Sequence, residues 1–233
     1  KLNFKNIGLI KDAIIKYKID INYCLTSTGL SNALMACLFK KVKTIAYRGT
    51  QAKIRKSDPT YYLGILNPKV NHVICETVDI KESLKKYYSE KNLTLNPKPY
   101  EIDWKEDAIE NSKMIDSIPK DAFKVICIAK TKDRPHKGLT QLIKGMNLLK
   151  NNNIHLLHIG DFDESDFNLA KNGRKANQIH FAGFKADAIN YLPNSDVCIC
   201  PSTRDAAPIA LKEAMACGVA CIVTDILGAR DLV

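Results

Sequence analysis

Residues 201–231 read PSTRDAAPIALKEAMACGVACIVTDILGARD. The stretch follows a four-residue apolar run, Val197 to Cys200, that has the length and β-branched character of a buried strand. A polar loop holding Asp205 comes next. A helix is expected from Ala210 to Cys217, stopped by Gly218, and a second strand from Ala220 to Thr224. Strand, loop, helix and strand in this order form a unit of a parallel sheet with helices on its faces. In such sheets ligands bind beyond the carboxyl ends of the strands, which makes the loop of Asp205 a place to look for chemistry. Asp205 and Glu213 lie eight residues apart, one in the loop before the helix and the other near its first turns. Both carboxylates are therefore candidates to face one ligand, as acceptors of hydrogen bonds from hydroxyl groups. An isolated pair of this kind reads first as an N-capping Asp and a solvated helical Glu, and the surrounding sequence changes that balance.

The same alternation extends upstream. Strands are expected at Val125–Ala129, His155–Ile159 and Ile179–Phe181, with a helix over Leu139–Lys150. The loop after Ala129 carries Lys130, Lys132, Arg134, His136 and Lys137, then Gly138 directly before the helix. Cations ahead of a helix N-terminus suit a diphosphate, because free backbone N–H groups and the helix dipole add to the side-chain charge. The loop after Ile159 opens with Gly160 and Asp161, and a glycine lets backbone approach a ligand closely.

Earlier still, Ile7–Tyr17 reads as an amphipathic helix, Ile21–Leu25 as a strand, Leu30–Phe39 as a helix, Val42–Tyr47 and His72–Cys75 as strands, and Asp79–Tyr88 as a helix. The stretch 92–121 is polar, holds three prolines and shows little strand pattern, with a short helix near Lys105–Lys113. Two αβ series separated by such a stretch give the expected fold: α/β, two Rossmann-like doubly wound parallel-sheet domains, the first partial and the second truncated. The expected boundaries are 1–103 for an acceptor-side domain, 104–121 for a linker and 122–233 for a nucleotide-sugar-binding domain.

These elements together resemble the family 4 glycosyltransferases, which have the GT-B fold. Pro201, Ser202, Glu213, Ala214, Met215, Ala216 and Gly218 match that family's motif in place. Lys137-Gly138, HIGD at 158–161 and FAGF at 181–184 match its upstream segments in order. The resemblance spans residues 124–233 and is looser before that. It implies transfer of a sugar from a nucleotide diphosphate sugar to an acceptor hydroxyl, with retention of anomeric configuration. It implies that Lys137 and Lys130 bind the donor diphosphate, Lys130 standing where the family has Arg. Asp205 takes the place of the family's Glu at the donor sugar, and Glu213 holds the ribose hydroxyls. Gly138, Gly160, Asp161 and Pro208 complete the donor side, with Ala206 and Ala207 standing where Gly-Phe is usual. On the acceptor side, Arg48, Gly49 and Thr50 follow a strand where many members carry a His-containing loop. Two other readings stay open: a nucleotide-sugar epimerase on the same fold, and a non-catalytic nucleotide-binding relative.

Composition bounds the remaining choices. The 233 residues carry a net charge of +10. Residues 1–117 contribute +7, with seven basic and no acidic residues between Lys40 and Lys56. A basic face attracts phosphates and anionic lipid surfaces. The partners this suggests are a sugar, lipid-linked or glycan acceptor and an anionic membrane surface, in polysaccharide or glycolipid synthesis. Aromatic residues are not interleaved with the basic stretch as a nucleic-acid stacking platform requires, so no nucleic acid is expected. The eight cysteines form no CxxC pair, and most sit in apolar runs as small buried hydrophobes, which fits a reducing cytoplasm. No metal and no other cofactor is expected. No apolar run approaches the roughly 20 residues that span a bilayer, so membrane contact would be peripheral.

Overall fold

The computed structural model describes residues 2–50, 52–97, 103–230 and 232. The chain divides into two compact units, Lys1–Lys98 and Pro99–Val233.

The first unit contains α1 (Phe4–Lys16), β1 (Ile21–Cys24), α2 (Ser27–Ala36), β2 (Lys43–Arg48), β3 (Val70–Cys75), α3 (Val78–Leu84) and β4 (Leu93–Leu95). Among the described residues these strands make one sheet in the order β1-β2-β3-β4, every pair parallel. The helix starts follow from capping: Asn3, Thr26 and Thr77 each accept a backbone N–H of the first turn with the side-chain oxygen. Cys24, Ala46, Val73 and Cys75 fill the buried face of the sheet, while Ile21 and Tyr23, on the alternate positions of β1, are about half exposed. The helices and β3 shift by a few residues from the reading of the sequence, and two further details depart from it. Arg48 is the last residue of β2 rather than the first of the loop. β4 falls in the stretch 92–121 that showed little strand pattern, because three residues with a polar centre leave no periodicity to see.

The second unit contains α4 (Asp103–Glu110), β5 (Phe123–Ile128), α5 (Leu139–Leu148), β6 (Ile154–Ile159), α6 (Glu164–Lys171), β7 (Ile179–Phe181), β8 (Val197–Cys200), α7 (Ile209–Ala216), β9 (Ala220–Val223) and the short α8 (Leu227–Arg230). Its parallel strands are ordered β7-β6-β5-β8-β9. The chain builds outward from β5 to β7, then returns to build outward on the other side with β8 and β9. The order therefore reverses between β5 and β8. Alternation along the strands supplies two cores, one on each face. Val125, Cys127 and Leu156 pack with Leu139, Ile143 and Met146 of α5, and Ile126, Leu157 and Cys198 pack with Ala214 of α7, Leu192 and Ile118. The stretch expected as a linker takes part in this: Ala108 of α4 is fully buried, and Ile115 and Ile118 join the second core. Five of the eight cysteines are buried free thiols: Cys24, Cys75, Cys127 and Cys198 in the strands, and Cys37 just after α2.

Candidate nucleotide-sugar site

The loops that leave β5 and β8 meet at the point where the strand order reverses, the place at which an open parallel sheet leaves a crevice beyond its carboxyl ends. The β5 loop closes with a single 3-10 turn, Pro135–Lys137, and then Gly138, whose φ of 78° places it in the left-handed region ahead of α5. A Cβ on Gly138 would lie 2.0 Å from the carbonyl oxygen of Pro201. Only glycine lets the two loops approach this closely. They are also tied by the Thr203 N–H, which donates to the His136 carbonyl at 2.8 Å. One residue further on, Lys137 Nζ meets Asp205 Oδ2 at 2.5 Å. The loop of Asp205 is held from its other side, since a Cβ on Gly228 would fall 2.2 Å from the carbonyl oxygens of both Asp205 and Ala206. A cation and a carboxylate 68 residues apart are thus brought together by backbone packing.

The β6 loop supports a second cation. A Cβ on Gly160 would lie 2.1 Å from the Ala129 carbonyl, at a φ of 135°, so the two chain segments meet backbone to backbone just past the ends of β5 and β6. The Asp161 carbonyl accepts from the N–H groups of Thr131 (2.7 Å) and Lys132 (3.0 Å) and from Thr131 Oγ1 (3.1 Å). Lys130 Nζ then faces Asp161 Oδ2 at 3.4 Å. These residues border an open hollow of about 530 Å³, lined also by Lys132, Phe162 and Gly183. Under the loop, His158 is fully buried, edge-on to Phe162 and Phe181, and its Nε2 lies 3.5 Å from Thr131 Oγ1. Loss of water pushes the His158 imidazole down to about 4, so it is neutral at pH 7.

Glu213 stands on the second turn of α7 and is half-buried; burial raises its carboxyl above the ordinary range. Ala206, Ala207 and Pro208 form the loop that runs from Asp205 to the start of α7. The structure therefore gathers Lys137, Gly138, Asp205 and Ala206 into one packed locus and Lys130, Gly160 and Asp161 into a neighbouring one. His158 and Thr131 were not singled out from sequence. A histidine inside an apolar strand reads as core, and only the strand pairing reveals what lies above it.

In the first unit, Arg48 ends β2 and its Nη2 donates to the Ala52 carbonyl at 2.6 Å. It lines a cleft of about 300 Å³ with Thr26, Ser27, Thr28, Tyr47 and Tyr61. The space beside Gly49 is taken by Glu76 Oε2, 2.5 Å from where a Cβ would be, and Thr50 is exposed. Among the described residues, no group of three or more His, Cys, Asp or Glu is placed to hold a metal ion.

Comparison with known proteins bears on the family and the fold. The profile of the family described as "Glycosyl transferases group 1" matches residues 109–233, more than half of the chain. A Campylobacter jejuni protein, N,N'-diacetylbacillosaminyl-diphospho-undecaprenol alpha-1,3-N-acetylgalactosaminyltransferase, is 23% identical over 160 residues. That match takes in 69% of this chain and 38% of the relative. Among solved structures, a glycosyltransferase from Rickettsia africae superposes with a TM-score of 0.81 at 20% identity, over 97% of this chain and 63% of its own. Anabaena HepE in complex with UDP superposes with a TM-score of 0.79 at 16% identity, over 98% and 65%. The chain thus spans under two thirds of the length of these proteins. The likeness to the solved structures establishes the fold, the two-sheet α/β arrangement of GT-B proteins.

Proposed function

The chain belongs to the glycosyl transferases group 1 family, and from that premise we propose that it is the donor-binding part and a portion of the acceptor-binding part of a family 4 enzyme that moves a sugar from a nucleotide diphosphate sugar to an acceptor hydroxyl. The observation that carries the reading is the position of Lys137. It is a cation held by backbone packing at the strand-order reversal, one residue before the glycine that opens α5. In the reaction the bond between the anomeric carbon and the diphosphate oxygen breaks, and negative charge grows on the departing diphosphate. Lys137, Lys130 and the free N–H groups at the start of α5 stabilise that charge because they are already oriented before it forms. Asp205 accepts hydrogen bonds from the donor sugar, and Glu213, its proton affinity raised by burial, accepts from the ribose hydroxyls. The new bond joins the acceptor oxygen to the anomeric carbon, with retention of configuration.

HepE is a structural neighbour solved with UDP, so UDP-sugars are the first donors to test. The Campylobacter relative is named for a diphospho-undecaprenol-linked acceptor. With the excess positive charge of residues 1–117, this supports an acceptor carried on a diphosphate-linked lipid, with Arg48 at the cleft of the first unit nearest the phosphate. Among the described residues no helix is long and apolar enough to cross a membrane, and the enzyme meets such an acceptor at the membrane surface through its Lys-rich segment. The deciding experiment is binding of UDP, GDP and ADP and their sugars followed by thermal shift, with Lys137→Ala and Glu213→Ala as controls. One nucleotide series that stabilises the protein and is lost in both variants supports the reading. A folded protein that responds to none of them rejects it.

A further inference from the structure

The cation that the proposed function assigns to the diphosphate already has an anionic partner. Lys137 Nζ and Asp205 Oδ2 are 2.5 Å apart, and their side chains are only 20% and 17% exposed. Lys130 and Asp161 are 3.4 Å apart with 59% and 41% of the side chains exposed. The loops that carry the first pair are also held to each other at their backbones. The Thr203–His136 backbone bond lies within two residues of both partners, Gly138 lets the two loops meet without room for a methyl group, and Gly228 packs equally closely against the backbone of the Asp205 loop. Any diphosphate that reaches Lys137 meets a carboxylate already beside it.

We propose that Asp205 competes with the donor diphosphate for Lys137, holding the lysine in place when the site is empty and reclaiming it when the nucleoside diphosphate product departs. This inference rests on the transferase reading above and adds a role to a residue there assigned only to the sugar. An ammonium has three donors and one point of charge. One hydrogen bond to Asp205 leaves two for phosphate oxygens, but the carboxylate neutralises the charge that draws the phosphate and repels the anion at short range. Binding of the diphosphate therefore displaces Asp205 from Lys137 and leaves its carboxylate oxygens to hydroxyls of the donor sugar. After transfer the sugar is gone, Asp205 loses that partner and returns to Lys137. The product is then held less tightly than the fixed cations alone would hold it. The same carboxylate thus rewards a donor with a sugar in place and penalises a bare diphosphate.

The test is binding of UDP, GDP and ADP, of the matching nucleoside and of inorganic pyrophosphate to this chain by calorimetry, in the wild type, Asp205→Asn, Asp205→Ala and the double variant Asp205→Asn/Lys137→Ala. Asp205→Asn is expected to tighten the nucleoside diphosphate that binds, and pyrophosphate, by about tenfold, with no change for the nucleoside, which carries no phosphate. Asp205→Ala should move in the same direction, and the gain should vanish when Lys137 is absent. The unchanged nucleoside affinity separates a charge effect from a disturbed fold. Wild-type protein that binds a nucleoside diphosphate while both Asp205 variants bind it equally or more weakly overturns the inference and leaves the transferase reading standing. Wild-type protein that binds no nucleotide overturns both.

Discussion

Two cation–carboxylate pairs border the same strand ends, and they differ in what holds them. Lys137 and Asp205 are drawn together by glycines whose missing side chains let backbone meet backbone, and by a hydrogen bond between the loops. Lys130 and Asp161 extend into water from a loop anchored at the carbonyl of Asp161. An exposed pair of this kind contributes little on its own, because solvent screens it and both side chains lose freedom to form it. A packed pair is positioned whether or not its energy is large. The comparison teaches that at this edge of the sheet charge is placed by backbone shape first and by ion pairing second.

Substitutions at the two lysines test this most sharply. Lys137→Ala is expected to lower sugar transfer by about 100- to 1,000-fold, the size of losing one preoriented donor to developing charge. Transfer assays with the donor identified by thermal shift measure it, and a loss under tenfold would equate the inner pair with the outer one. Next in size is the backbone that holds the inner pair. Gly138→Ala must accept a left-handed φ and a Cβ 2.0 Å from a carbonyl oxygen, so it should destabilise the second unit by about 2–3 kcal/mol. Urea unfolding reads this directly, and an unchanged midpoint would mean the two loops separate freely.

The outer loop rests on His158, and pH probes it. Unfolded histidine titrates near 6.5, while folding pushes His158 down to about 4. Between these values the unfolded state binds more protons, so the contribution is complete above pH 6.5 and is lost as pH falls toward 4. From pH 7 to pH 5 the second unit should lose about 2 kcal/mol. His136, His155 and His180 are also shifted down by burial, so they act in the same direction. Urea melts of the wild type and of His158→Gln at the two pH values isolate the share of His158 as the difference in slope. The smallest effect is expected at Lys130: alanine there should reduce transfer by about tenfold, with almost no change in the unfolding midpoint. A loss as large as that at Lys137 would show that exposure does not weaken a cation at this site.

The alternation of the second unit was readable along the chain, with β7 and β8 found at their observed ends and the helices and other strands displaced by a few residues. Strands there are near-continuous apolar runs because both faces of the sheet are covered, and such runs stand out between polar loops. What escaped notice was short or locally ambiguous. β4 has three residues, α8 has four, and α6 begins with Glu164, Ser165 and Asp166, a start that looks like a loop until Ala170 is seen to be buried. At the site, the motif residues were visible as types in an order, but no spacing along the chain announces that Lys137 touches Asp205 or that Lys130 faces Asp161.

Lys175 shows the same limit away from the site. It reads as an ordinary surface lysine between Arg174 and Ala176, yet it is fully buried, with Nζ donating to the Asn151 carbonyl at 2.7 Å and to Asn152 Oδ1 at 2.5 Å. His155 and His180 likewise sit on neighbouring strands with Nδ1 and Nε2 3.0 Å apart, and Ser117 Oγ is 3.1 Å from the second ring. By itself the sequence determined most element types and the parallel α/β class, and it offered a set of loop residues as candidates for a diphosphate sugar, because periodicity, capping and loop chemistry act over a few neighbouring positions. The tertiary structure alone decided which cation meets which carboxylate, which histidine is kept neutral and which lysine is buried. Those outcomes depend on strand order and close backbone approach between segments tens of residues apart, and no local pattern encodes either.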